Sequence, residues 1–204
     1  DYKKTPNTAP TELARVGLVG DGDQATVTRA ATIARAVRNA RDLVNTPPND
    51  LCPDAFAQRA RSLAEAAGVT VEILDESALA EGGFGGVLGV GGGSSRPPRL
   101  VRLTYTPDQG QHADRARKKV ALVGKGITFD TGGISIKPAA NMDHMTSDMS
   151  GAAGVVAATC LAAELGLRPR GLTYRVLADL TRDGGTAGGK AERDAGSLAV
   201  HDLG

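Results

Sequence analysis

Aromatic side chains are scarce in this sequence: they make up 3% of its 204 residues, and tryptophan is absent. A core built from this chain must therefore rely on alanine, valine, leucine and isoleucine, which bury less surface than an aromatic ring. Hydrophobic residues amount to 41% and are accompanied by 27 glycines, so the composition is that of a globular protein. The length suits one domain or a little more.

Cysteine and net charge are also scarce. Cys52 and Cys160 are far apart and form no CxxC pair, which argues against a disulfide framework and indicates a reducing compartment. A formal charge of +1 gives no reason to expect a nucleic-acid partner, and the basic residues 115–119 are interpreted as a solvated loop. No apolar run approaches the ~20 residues of a membrane span, and the first residues are polar, unlike a signal peptide. We expect a cytoplasmic protein without a membrane partner.

Periodic segments alternate along the chain between helix and strand patterns. Residues 1–24 are polar and read as a linker, and the missing initiator methionine suggests that the sequence begins inside a longer protein. The helix predicted over residues 25–44 has Ile33 or Ala34, Val37 and Val44 on its apolar face. Further helices are predicted from Pro53 to a cap at Gly68, over Glu76–Glu81 and over 150–165, and strands over 69–74, within 82–93, and over 100–105, 120–123 and 172–177. This alternation predicts an α/β fold, a layered α/β/α domain with a mainly parallel central sheet.

The residues that carry chemistry follow the predicted strand 120–123. Lys125, Asp130 and Lys137 lie among glycines there, and Asp148 comes near the start of the next helix. In open α/β sheets, sites form beyond the carboxyl ends of strands. Taken singly, these residues also have ordinary readings, since aspartate is a good helix N-cap and lysines are common in exposed loops.

Their spacing is more specific than their types. Residues 124–138 read Gly-Lys-Gly-Ile-Thr-Phe-Asp-Thr-Gly-Gly-Ile-Ser-Ile-Lys-Pro, and Met142-Asp143 then leads through Met145 to Asp148-Met149 and a Gly-Ala-Ala. This pattern closely resembles the M17 leucyl (cytosol) aminopeptidase family. Residues 40–49 resemble the start of that family's catalytic domain, and residues 89–94 and 97–100 also fit. The resemblance runs from about Arg35 to about Leu167.

The resemblance implies a site that binds two divalent metal ions, Mn or Zn, or else Mg. Lys125 would bind one ion through a neutral amine, Asp130 would bridge both ions, and Asp148 would share the ion of Lys125. Lys137 would be the catalytic lysine, which polarises the scissile carbonyl or holds the oxyanion, and Met145 would line the pocket for the substrate's first side chain. His144 does not match a ligand position of the family, and we do not assign it to the metal.

The function implied is that of a metallo-exopeptidase that removes N-terminal residues, leucine among those favoured, from peptides by two-metal-assisted hydrolysis. The family works as a cytoplasmic homo-hexamer. Its second signature, Asn-Thr-Asp-Ala-Glu-Gly-Arg, completes the metal site and supplies an arginine, and this string does not occur here.

We therefore divide the chain into a linker over 1–24, a partial catalytic domain over 25–180 and an irregular tail over 181–204 with no family match. The truncated chain is expected to be inactive. A non-catalytic remnant or fragment of such an enzyme is the alternative, and a sequence shifted out of frame near its end would look the same. A nucleotide-binding module is disfavoured, because Gly89 to Ser95 lacks the Lys-Ser/Thr of a phosphate loop and leads to Pro97.

Overall fold

The structure, a computed structural model, describes residues 16–107, 118–167 and 172–181. Helices and strands follow one another in the order that the sequence predicts, except that a helix stands where a strand was predicted within residues 82–93. The helices are α1 (Gln24–Asn45), α2 (Pro53–Ala66), α3 (Glu76–Glu81), α4 (Gly85–Gly91) and α5 (Ser150–Glu164), and a 3-10 helix spans Met142–Ser147. The strands are β1 (Thr70–Leu74), β2 (Arg99–Tyr105), β3 (Lys118–Ile127) and β4 (Leu172–Thr181). The predicted tail from Asp183 onward lies outside the described residues.

Local chemistry explains where the helices begin and end. The Asp23 carboxylate accepts a hydrogen bond from the Thr26 N–H at 2.6 Å, and the Asp75 carboxylate accepts one from the Ala78 N–H at 3.0 Å, so aspartate caps both α1 and α3. Helix α2 starts on Pro53, whose missing N–H costs nothing in the first turn. Gly68, with a φ of 72°, follows the end of α2 and takes the left-handed conformation that favours glycine.

The sheet has the strand order β1-β2-β4-β3. Strands β3 and β4 pair in parallel, whereas β1 with β2 and β2 with β4 are antiparallel. The predicted mainly parallel sheet is therefore wrong for the residues described. An alternation of strands and helices does not by itself determine whether neighbouring strands are parallel. Helix α5 lies in the connection between the parallel strands β3 and β4, whereas α3 and α4 lie in the connection between the antiparallel strands β1 and β2.

The strand predicted within residues 82–93 is also wrong, because this stretch ends α3 and forms the helix α4. Short apolar runs among glycines cannot be assigned to strand or helix by periodicity. Here Val87 is buried, with Leu88 packed beside it, in a small cluster with Leu79 and Leu100. Gly91 faces the ring of Pro98 so closely that an added Cβ would lie 2.8 Å from it, which explains a glycine at this position.

Apolar side chains cover both faces of the sheet at its β1–β2 end. Leu100 and Val101 are both buried and point to opposite faces, because side chains alternate along a strand. Val101 joins the main cluster with Phe56 of α2 and Val156 of α5, while Leu100 joins the small cluster with α3 and α4. This end of the sheet is thus layered between helices, in line with an α/β fold.

Helix α1 packs against α5 along a different row from the one predicted. Thr32, Ala36 and Leu43 are the buried residues of α1, whereas Ile33 and Val37 are exposed by 39% and 53%. The sequence has apolar residues on two adjacent rows of this helix. The row of Thr32, Ala36 and Leu43 is the buried one, and Val44 of the predicted row packs partly buried against the core. Within the described ranges, no helix combines the length and the apolar character needed to cross a membrane.

Burial should separate the two cysteines chemically. Cys160 lies in α5 with 7% of its surface exposed, and burial, followed by the negative charge of Glu164, raises the pKa of its thiol to about 11. Since the thiolate is the reactive form, a thiol pKa of about 11 in place of the ordinary 9.0 predicts roughly 10²-fold slower alkylation of Cys160 at pH 8 than of an unburied thiol. Cys52 is only partly buried and should be modified first by iodoacetamide, as followed by mass spectrometry. Equal rates without denaturant would contradict this packing, and equal rates in urea are the control.

Candidate active site

The loop after β3 folds back on itself so that its two ends meet. The Asp130 carboxylate accepts a hydrogen bond from the Gly132 N–H at 2.9 Å, and the Lys137 N–H donates to the Thr131 carbonyl at 2.9 Å. Gly132 and Gly133 have φ values of 91° and 62°, which residues with side chains rarely adopt. The Asp-Thr-Gly-Gly sequence therefore makes a tight turn that holds Asp130 and returns the chain to it.

Lys137 and Asp130 form the tighter of two ion pairs in this region. The Lys137 ammonium lies 2.6 Å from the Asp130 Oδ2 and 3.0 Å from the sulfur of Met145. Burial by itself raises the pKa of the Asp130 carboxyl. The hydrogen bonds from Lys137 and Gly132 and the positive charges of Lys137 and Lys125 outweigh that effect and hold the pKa below its ordinary value of 3.8.

Lys125 and Asp148 form the second ion pair. The two side chains meet with Lys125 Nζ 2.9 Å from Asp148 Oδ2, and their exposed fractions are 57% and 19%. That oxygen is buried and has no hydrogen-bond partner, so the ammonium is near it without being oriented to donate to it. Asp148 follows the 3-10 helix as its C-terminal residue, and the N-cap of α5 is Met149, with no side-chain capping bond. The ordinary reading of Asp148 as the helix cap is not what the structure shows.

The structure thus brings together all five residues that the sequence singled out. Lys125, at the carboxyl end of β3, is close enough to influence the charge of Asp130 in the other pair. Met145, in the 3-10 helix, joins the cluster through its sulfur. His144 takes part in the local turn through its backbone: its N–H donates to the Asn141 carbonyl, and its carbonyl accepts from the Ser147 hydroxyl. The contact that sequence reasoning missed is the Gly132 N–H that orients Asp130, although an Asp two residues before Gly is a known turn signal.

The donor set suits a divalent cation in part. Carboxylate oxygens and a neutral amine are hard ligands of the kind that Mn²⁺, Zn²⁺ and Mg²⁺ accept. The buried Asp148 oxygen without a hydrogen bond is an atom that a cation would satisfy. Among the residues described, however, no three His, Cys, Asp or Glu side chains come together. The cluster therefore offers part of a metal site and needs further ligands to close it.

Comparison with known proteins agrees with this geometry. Residues 38–180 match the sequence profile of the cytosol aminopeptidase family, catalytic domain. The chain belongs to this family. The match includes Lys125, Asp130, Lys137, Met145 and Asp148, and it extends beyond Leu167, where the recognisable motifs end.

Individual relatives cover most of this chain but are much longer than it. A probable cytosol aminopeptidase of Nocardia farcinica is 57% identical over 168 residues, which are 81% of this chain and 32% of that protein. A manganese complex of the bottromycin maturation enzyme BotP is 41% identical with a TM-score of 0.73, covering 83% of this chain and 36% of BotP. An apo leucyl aminopeptidase of Trypanosoma cruzi is 36% identical with a TM-score of 0.68, covering 76% and 29%. The chain spans about a third of the length of the curated relatives it matches.

The charge on Asp130 should make a measurable contribution to stability without metal. A carboxyl whose pKa is lowered on folding stabilises the fold above the pKa of the unfolded chain, and this stability is lost as pH falls through the folded pKa. Asp130→Asn keeps the shape and removes the charge, so we expect a loss of about 1 kcal/mol in unfolding free energy at pH 7. The difference should shrink below pH 3.8, the ordinary value for this carboxyl. Urea unfolding with a chelator present measures it.

Asp143→Asn provides the control for that experiment. Asp143 lies in the 3-10 helix near the same cluster, but its side chain is exposed, and the same substitution there removes a charge from the surface. A loss at Asp143 equal to that at Asp130, or a difference at Asp130 that persists unchanged at pH 2.5, would contradict the ion pair.

Proposed function

We propose that this chain is the front part of the catalytic domain of a metallo-aminopeptidase, an exopeptidase that releases N-terminal amino acids, leucine among those favoured, from peptides. The observation that carries the proposal is the meeting of two lysines and two aspartates at the carboxyl end of β3, in a chain of the cytosol aminopeptidase family. The leucyl aminopeptidase of Trypanosoma cruzi among the similar structures supports leucine as a substrate residue.

We assign the site residues as the family pattern suggests. Lys125 and Asp148 would hold one divalent ion, and Asp130 would be shared between that ion and a second. The proximity of Lys125 to Asp148 supports the shared ion, since both groups already lie around one point. Manganese is the first choice because BotP is known as a manganese complex, with zinc or magnesium as the other candidates.

The chain's own side chains have separate roles in the proposed reaction. When bound, the metal ions supply an activated water and polarise the scissile carbonyl. Lys125 would act as a ligand through its neutral amine. Lys137, whose ammonium pairs with Asp130, would stabilise the negative charge that develops on the carbonyl oxygen. We assign Met145, whose sulfur lies 3.0 Å from that ammonium, to the pocket that would receive the side chain of the substrate's first residue.

The alternative is a non-catalytic remnant of such an enzyme. It is favoured by one specific observation: the described residues supply two carboxylates and one amine, and the family's Asn-Thr-Asp-Ala-Glu-Gly-Arg string is not in the sequence. A complete protein of this family would act on peptides as a cytoplasmic homo-hexamer, and we propose the same setting for the site described here. A nucleotide-binding role stays disfavoured, because residues 89–91 of the glycine-rich stretch 89–95 belong to the helix α4.

The first test is turnover by the chain as it stands. Because the second half of the ligand set is missing, we expect little or no hydrolysis of leucine anilide by the 204-residue chain with added Mn²⁺. A version extended past Gly204 to include the family's second signature should hydrolyse the substrate in a metal-dependent manner. Robust turnover by the chain alone would show that the missing groups are not needed, and no turnover by the extended protein would count against the peptidase assignment.

The second test is metal content in that extended protein. Asp130→Asn should lose at least one metal ion and nearly all activity, because this carboxylate offsets positive charge at two centres. Lys125→Ala should lose one ion and keep the other. Elemental analysis of metal per chain, alongside peptide hydrolysis, measures both. Asp143→Asn, the same change at an exposed neighbour, is the matched control and should keep both ions. An Asp130→Asn variant with both ions and ordinary turnover would refute the metal site.

A further inference from the structure

Strand β3 and helix α5 touch backbone to backbone beside the proposed metal ligands. A Cβ added to Gly124 would lie 2.5 Å from the Gly151 carbonyl oxygen, 2.6 Å from its carbonyl carbon and 2.7 Å from the Ala152 nitrogen. A Cβ added to Gly151 would lie 3.0 Å from the Lys125 nitrogen and 3.2 Å from the Lys125 oxygen. All these neighbours are backbone atoms, which cannot rotate aside as the end of a side chain can. Only two glycines allow this approach.

The two glycines of this contact are close in sequence to the two members of an ion pair, Lys125 and Asp148. Gly124 directly precedes Lys125 in β3, and Gly151 lies three residues after Asp148, in the first turn of α5. Met149, which separates Asp148 from that turn, is 1% exposed and belongs to the main core cluster. Asp148 therefore cannot move independently of the start of α5. The distance between β3 and α5 at the glycines determines how close the Asp148 carboxylate comes to the Lys125 amine.

We infer that Gly124 and Gly151 are positioning residues of the metal site: their close contact sets the separation of Lys125 and Asp148. This inference deepens the proposed function and rests on it. Carbon atoms in contact normally stay about 3.5 Å apart or more, so a methyl group on Gly124 would displace the first turn of α5 by on the order of 1 Å. A displacement of that size at a reacting or ligating group is enough to weaken a site roughly 10²-fold.

The chain offers a graded series of substitutions to test this. Gly124→Ala meets backbone at 2.5 Å, Gly151→Ala meets it at 3.0 Å, and Gly154→Ala, one turn further along the same helix, meets nothing within 4 Å. All three changes add one methyl group to a glycine next to or within α5. The acylation rate of Lys125 and the affinity for Mn²⁺ should change most in Gly124→Ala, less in Gly151→Ala and not at all in Gly154→Ala.

The first measurement is made on the 204-residue chain without metal. Lysine acylation by a succinimidyl ester, quantified by mass spectrometry, reports on each amine separately. An ammonium paired with a carboxylate reacts slowly, so Lys125 should react about two- to fivefold faster in Gly124→Ala, as in Asp148→Asn. Lys137 is the internal reference, because its partner Asp130 lies in the loop after β3 and not on α5. Its rate should stay the same.

The second measurement is made on the same variants in the protein extended past Gly204, which is titrated with Mn²⁺ alone while free Mn²⁺ is followed by electron paramagnetic resonance. Groups that orient metal ligands typically change metal affinity by about 10- to 100-fold when altered, and we expect a loss in this range for Gly124→Ala and a smaller one for Gly151→Ala. Gly154→Ala should bind as the parent chain does. Asp148→Asn, which removes a proposed ligand, is the positive control.

The two measurements separate the inference from the proposed function. Unchanged Lys125 acylation in a folded Gly124→Ala chain overturns the inference. If Gly124→Ala does not fold, Gly151→Ala decides: faster acylation of Lys125 alone supports the inference, and parental rates refute it. If Asp148→Asn leaves Mn²⁺ affinity unchanged, the proposed metal site is wrong, and with it the role of the two glycines there. If Asp148→Asn weakens binding and Gly124→Ala does not, the metal site stands and the positioning role fails.

Discussion

Mutual neutralisation of charge is the interaction on which this site depends. Asp130 and Asp148 are each only 19% exposed, and a carboxylate so placed needs a compensating positive charge nearby. Lys137 and Lys125 supply it, one to each. A divalent ion held by Asp130 and Asp148 would supply this compensating positive charge in place of the lysine side chains.

The rest of the described fold serves to hold that arrangement. Strand β3 ends beside the cluster, the Asp130–Gly132 turn aims one carboxylate, and the burial of Met149 ties the other to the core. Small residues make this possible. Helix α5 buries alanines against the sheet, Ala152 and Ala153 among them, where larger side chains would force the helix away. The chain has few aromatic side chains, and its core relies on small residues that let the backbones of helix and sheet come close together.

Sequence patterns predicted most helices and strands to within a few residues, since capping aspartates, Pro53 and Gly68 act locally. They failed where the outcome depends on distant partners. Residues 85–91 form a helix whose Val87 is buried in a cluster with Leu79 and Leu100, and nothing in the stretch itself reveals these partners. The buried row of α1 depends on α5, over a hundred residues away. Strand direction in the sheet likewise depends on the path between strands. For the site, motif spacing identified the five residues, but the pairing of each lysine with its aspartate required the fold.

One consequence concerns strand β3, which lies at the outer side of the sheet as far as the structure describes it. An outer strand presents a row of N–H and C=O groups to which another strand can add. Strand β3 is ten residues long, and Val123 is 53% exposed on one of its faces. Within the described residues, this edge of the sheet therefore leaves room for a further strand beside β3.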